Sequence, residues 1–205
     1  MKSGEVIAAS AVMIILLGIA FALGGKGTYV NYLFTGNTGN QQSAQQSLPP
    51  ASGSSVVGSP SLSAQQINTI LCNEGSPACG TGQDLYNLGQ QYNIDPAFAL
   101  AVFWNESNFG KAGVAANSRS LGNLRCIPDA ACANGYAWFN SWQDGYRAFY
   151  TLVSGPVYVG NGLTTVESII PVYAPSGDGN NPSHYISIVE NAMSLWRNGS
   201  TGVPV

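Results

Sequence analysis

Charge is what this 205-residue chain has least of: 8% of its residues are Asp, Glu, Lys or Arg, against about 25% in an ordinary soluble protein. The formal net charge is −3 and no cluster of Lys or Arg occurs. That removes the electrostatic case for nucleic acid, whose phosphates demand grouped cations. Histidine occurs once, at His184. A single imidazole, in the first turn of a predicted helix, leaves no persuasive Ser-His-Asp set. "YVGNG", Tyr158 to Gly162, has turn chemistry without phosphate-loop spacing. No metal or other cofactor is implied.

Cysteine is also scarce. The four present are Cys72, Cys79, Cys126 and Cys132, all after an apolar N-terminal stretch. Six and five residues separate the near pairs, and no His is close, so zinc-ligand spacing is not met. An even number in an exported domain reads as two disulfides, with short loops favouring Cys72–Cys79 and Cys126–Cys132 among three pairings. Export is expected from the N-terminus. Val6 to Leu23 carries no charge, and eighteen helical residues rise about 27 Å, close to the ~30 Å of a bilayer core. "AFA", Ala20 to Ala22, fits a signal cleavage site. The run is long for a signal segment, so residues 1–25 are read as a transmembrane anchor. The domain would then lie outside the cytoplasm, in a periplasm, on a cell surface or on a virion membrane, or would be secreted.

From Gly27 to Asn73 no charged residue appears, and Thr35 to Ser61 is made of Gly, Asn, Gln, Ser, Ala and Pro with few large apolar residues. Such a stretch buries too little apolar surface to offset ordering. Residues 26–61 are expected to be a flexible linker, the 27 residues from Thr35 spanning about 30 Å root-mean-square. The folded domain is expected over 62–198, with a short tail at 199–205.

Within 62–198 the signals are helical. Ser63 starts one helix. Thr81 and Asp84 have capping-box spacing, as do Ser141 with Asp144 and Thr164 with Glu167. Asp95-Pro96 and Asn181-Pro182 each read as N-cap and first helical residue, and Gly199 as a stop. Ile186, Val189, Met193 and Trp196 form a stripe expected to be core. Only Leu124 to Phe139 offers room for a short hairpin. The class is mainly α.

"AVFWNESNFG", Ala101 to Gly110, sets one of the ten acids among aromatic residues. Phe98, Val102 and Glu106 follow at steps of four, so Glu106 projects beside the apolar face near a helix C-terminus. Desolvation and the negative end of the helix dipole both disfavour its ionised form. A carboxyl kept protonated near neutral pH can act as a general acid.

"ESNFGK" and the following "NSRSLGNLRC" resemble the catalytic stretch of lysozyme-like peptidoglycan glycosidases. The resemblance is closest to the bacterial glucosaminidase group named for mannosyl-glycoprotein endo-β-N-acetylglucosaminidase. Goose-type lysozymes and soluble lytic transglycosylases are more distant. "SWQDGYRAFYTLV" and "VYAPSGDGNNPSHYI" resemble later parts of the same domain, so the likeness runs from about Asp84 to Trp196. It implies a lysozyme-like helical domain with a small hairpin lobe, Glu106 as general acid, and Leu121 to Leu124 as a loop lining a sugar groove. It also implies Tyr173 as a tyrosine close to that Glu. Ser120, Asn123 and Leu124 are then expected to bind substrate or support the site, and the hairpin aromatics Tyr136 and Trp138 to stack on sugars.

A second carboxylate is harder to find. Asp144 has a capping role. Asp129, inside the Cys126–Cys132 loop, stands about where the glucosaminidase group has a second acid, although a solvated loop Asp is the simpler reading. Without it, the substrate's N-acetyl group can assist, or a sugar hydroxyl can replace water as in lytic transglycosylases. The expected partners are peptidoglycan glycan strands, and the membrane through the N-terminal helix. The alternative is a non-catalytic glycan-binding or structural module of a cell-surface or virion assembly.

Overall fold

In the computed structural model, Ala51 and residues 53–204 are described. The expected anchor, and most of the expected linker, lie outside these residues. Among the described residues no helix is long and apolar enough to cross a membrane.

The chain is mainly α. Helices α1 (Ala64–Asn73), α2 (Gly82–Tyr92), α3 (Pro96–Ser107) and the single turn α4 (Ala115–Ser118) precede a hairpin of β1 (Ala131–Ala133) and β2 (Tyr136–Trp138). Then come α5 (Trp142–Ser154), α6 (Val166–Tyr173) and α7 (Pro182–Arg197), with short 3-10 turns before and after α6. Helix α3 is the hub. Every residue from Pro96 to Phe103 is buried, as expected of a helix apolar on all sides. It packs chiefly on α7, while α1 packs on α2, α2 on α5, and α6 on α7. Phe103 meets Phe149 edge-on with centroids 4.8 Å apart and stacks on Tyr146 at 5.8 Å, tying α3 to α5.

Local chemistry explains most helix starts. Ser63, Asp95, Ser141 and Asn181 each accept a backbone N–H as N-caps. Two expected caps differ. The Thr81 hydroxyl makes no cap bond to α2; it donates to the Ala78 carbonyl and bonds the Tyr146 hydroxyl at 2.8 Å. A tertiary partner has taken the group that would have capped. Helix α6 is capped by a box of Thr165 and Ser168, not Thr164 and Glu167. The Thr164 carbonyl accepts from Val56 N–H at 2.9 Å, which keeps the chain extended one residue longer.

That contact also corrects the start of the domain. Val56 is fully buried, Ser55 bridges Thr165, and Val57 bridges Ile94. Residues 53–61, expected to belong to the flexible linker, are therefore part of the packed chain. Asp95 is the anchor. It is fully buried, accepts from Ser61 N–H and hydroxyl at 3.0 and 2.6 Å, and pairs with Arg197 at 2.6 Å. Arg197 donates onward to the carbonyls of Gly53 and Ser55. The tail is docked too, since Gln66 donates to Ser200 O and Trp196 to Gly202 O.

Both expected disulfides are present, Cys72–Cys79 and Cys126–Cys132. The first staples the end of α1 to the following turn. The second closes the loop leading into β1.

Candidate active site

Helix α3 ends abruptly. Asn108 (φ 48°), Phe109 (φ 53°) and Gly110 (φ 85°) are all left-handed. A bulky residue in this region is strained. Phe109 is held there by burial of its ring near Trp196, and by Ser76, whose hydroxyl donates to the Phe109 carbonyl at 2.7 Å. The turn leaves Glu106 in the last helical turn, half-buried.

The loop after α4 is pinned against this helix end. Ser107 accepts from Gly110 N–H and donates to the Leu121 carbonyl at 2.7 Å. Ser120 accepts from Leu124 N–H at 2.9 Å. Tyr173 donates to the Gly122 carbonyl at 3.1 Å, and Asn123 Nδ2 donates to the Glu106 carbonyl at 2.8 Å. Asn123 takes a left-handed φ of 47°. Its Oδ1 is buried and has no hydrogen-bond partner among the described residues.

These contacts revise several roles. Ser120 and Leu124 are only 1% and 3% exposed, so they shape the loop from beneath. Tyr173 is buried and spends its hydroxyl on Gly122. The tyrosine that reaches Glu106 is Tyr185, whose hydroxyl donates to Glu106 Oε1 at 2.8 Å. Tyr173 stands behind it, edge-on at 6.4 Å. Asp129 is exposed in the Cys126–Cys132 loop, and no bond among the described residues connects it to Glu106.

The Glu106 carboxyl is pushed up to about 7, mainly by burial, with the Tyr185 hydrogen bond and the charge of Arg125 pulling the other way. Half of the population is then protonated near neutrality, where a general acid is most useful.

The hairpin supplies the neighbouring surface. Alternation along β2 buries Ala137 and leaves Tyr136 and Trp138 half-buried on the other face. Arg125 and Tyr136 are bridge partners, so their side chains share a face. The guanidinium carbon lies 4.5 Å from the Tyr136 ring centroid, a cation–π contact. Trp138 donates weakly to the Ala133 carbonyl at 3.4 Å.

Two residues of the site, Tyr185 and Arg125, escaped sequence reasoning. Tyr185 is 79 positions from Glu106, and nothing local separates it from Tyr173. Arg125 had a signal: it is one of seven basic residues in the chain and follows the Gly-containing loop directly. Among the described residues no group of His, Cys, Asp and Glu could hold a metal ion. No protein-family model matches the chain, and no curated protein matches it.

Proposed function

We propose that the protein is a glycosidase of the lysozyme-like kind that cleaves peptidoglycan glycan strands with Glu106 as its single acid/base group. The observation that carries this is a carboxyl with a pKa of about 7, half-buried at the end of α3 and held by the Tyr185 hydroxyl. Protonated Glu106 gives its proton to the glycosidic oxygen as the bond from the anomeric carbon breaks. The resulting carboxylate then takes a proton from the oxygen that attacks that carbon. In a one-carboxylate mechanism the attacking group is a sugar hydroxyl, giving a 1,6-anhydro product, or water assisted by the substrate's N-acetyl group. Tyr185 orients the carboxyl and stabilises its ionised state between the two steps. Tyr136 and Trp138 offer ring faces for sugars. The two disulfides suit an oxidising compartment outside the cytoplasm, where such a substrate lies.

Purified cell walls test the proposal. The chain should release soluble fragments, and Glu106→Gln should reduce release by at least about a thousandfold, as expected when the acid/base group of a one-carboxylate mechanism is removed. Mass spectrometry of the fragments distinguishes anhydro from reducing ends. Full activity in Glu106→Gln would end the mechanism. Glycan binding with no product at all would favour the non-catalytic module.

A further inference from the structure

Three consecutive loop residues tie the segment after α4 to the core. Leu121 and Gly122 do so with main-chain carbonyls, which accept from Ser107 and Tyr173. Asn123 does so with its side chain, through Nδ2 and the Glu106 carbonyl at 2.8 Å. That carbonyl lies in the last turn of α3, where the helix itself supplies no N–H donor. The identity of residue 123 therefore acts at one place, the backbone of the residue that carries the acid.

For stability alone, asparagine is a poor choice there. Its φ of 47° is one that glycine adopts more readily. Its Oδ1 is buried and meets no donor, a desolvation cost that no bond returns. Glycine would remove both costs and give up one hydrogen bond. A buried polar atom left without a partner calls for a functional reason. Among the described residues Oδ1 of Asn123 is the one such side-chain atom, and it belongs to the side chain that holds Glu106.

We propose that Asn123 is a positioning residue: its amide locks the last turn of α3 to the loop over residues 120–124 and so keeps water away from the Glu106 carboxyl. The proposal rests on Glu106 being the working acid and adds how its burial is maintained. Loss of the amide leaves a space lined by the Glu106 carbonyl, and a polar space takes up water. Water beside the carboxyl then favours its ionised form. The other groups acting with Glu106 are Tyr185 on α7, Tyr173 on α6 and Arg125 before the hairpin. A change at residue 123 leaves all three in place.

The test is Asn123→Gly in the full-length chain, with the carboxyl followed by NMR of isotope-labelled glutamate. The Glu106 signal, assigned by its loss in Glu106→Gln, should titrate at about 7 in wild type and at least about one pH unit lower in the variant. On a soluble glycan, kcat/KM should be nearly unchanged at about pH 4 and fall about tenfold or more at about pH 8, because each pH unit is a factor of ten there. A merely structural role would lower activity equally at every pH. If the variant does not fold, the wild type still decides. The Asn123 side-chain amide protons should shift with the Glu106 titration and stay still in Glu106→Gln. The same Glu106 titration in both chains overturns the proposal, as does an Asn123 amide that fails to sense it. A lowered titration in the variant, beside a wild-type chain that releases nothing from cell walls, would sink the catalytic reading alone.

Discussion

Glu106 carries two opposed demands, because the burial that makes it a useful acid also makes it a burden on the fold. On the catalytic side, kcat/KM on a soluble glycan should fall as pH rises through about 7, as Glu106 loses its proton. Tyr185 lowers this pKa by donating to the carboxylate, so Tyr185→Phe should move the alkaline limb upward. A limb at ordinary carboxylate pH would show that the group is hydrated. On the stability side, between 4.5 and about 7 the unfolded chain has released this proton and the folded chain retains it. Stability therefore falls as pH rises through that window. Glutamine has no proton to lose. Glu106→Gln should melt higher than wild type at pH 8, by on the order of 2 kcal/mol, and equally at pH 4. At this scale the position of Glu106 was legible from the four-residue steps along α3. Which tyrosine serves it was not, since that depends on how α7 lies against α3.

Elements meet closely at Gly145 in α5. A Cβ there would overlap the carbonyl oxygen of Arg119. In an exposed helix interior, Gly→Ala stabilises by about 1 kcal/mol. Here the sign reverses, because backbone rather than a flexible side chain stands in the way. Gly145→Ala should cost at least about 2 kcal/mol in urea unfolding, and should depress wall lysis by displacing the loop that carries Asn123. A stabilised variant would contradict the packing of α5 on that loop. Helix starts were readable wherever the capping group is used locally, as at Ser63, Asp95 and Asn181. At Thr81 the start is where the spacing puts it, but the hydroxyl bonds Tyr146 and the Ala78 carbonyl instead of capping. At Thr164 the cap falls one residue later, at Thr165, while Val56 N–H holds the Thr164 carbonyl.

Across the whole molecule, Asp95 and Arg197 join three distant parts: the entering segment at 53–61, the start of α3 and the end of α7. Asp95 is fully buried and Arg197 largely so. Removing one partner strands the other's charge. Arg197→Met should cost about 3–5 kcal/mol by chemical denaturation, and adding Asp95→Asn should recover part of that loss, a coupling that a double-mutant cycle measures directly. Additive losses would mean the two residues act separately.

Composition and local pattern were enough for a mainly α domain, for two disulfides whose short-range pairing they favoured without fixing, for room for a hairpin, and for a carboxyl placed against an apolar helix face. These follow from interactions between residues close in sequence, where spacing alone sets geometry. The tertiary structure alone decided that Tyr185 and not Tyr173 bonds Glu106, that Ser120 and Leu124 are buried, that the charge of Arg125 acts on the acid, and that Asp95 does more than cap a helix. Each of these depends on two surfaces meeting across many intervening residues, and the order of residues along the chain does not encode that meeting in any local spacing.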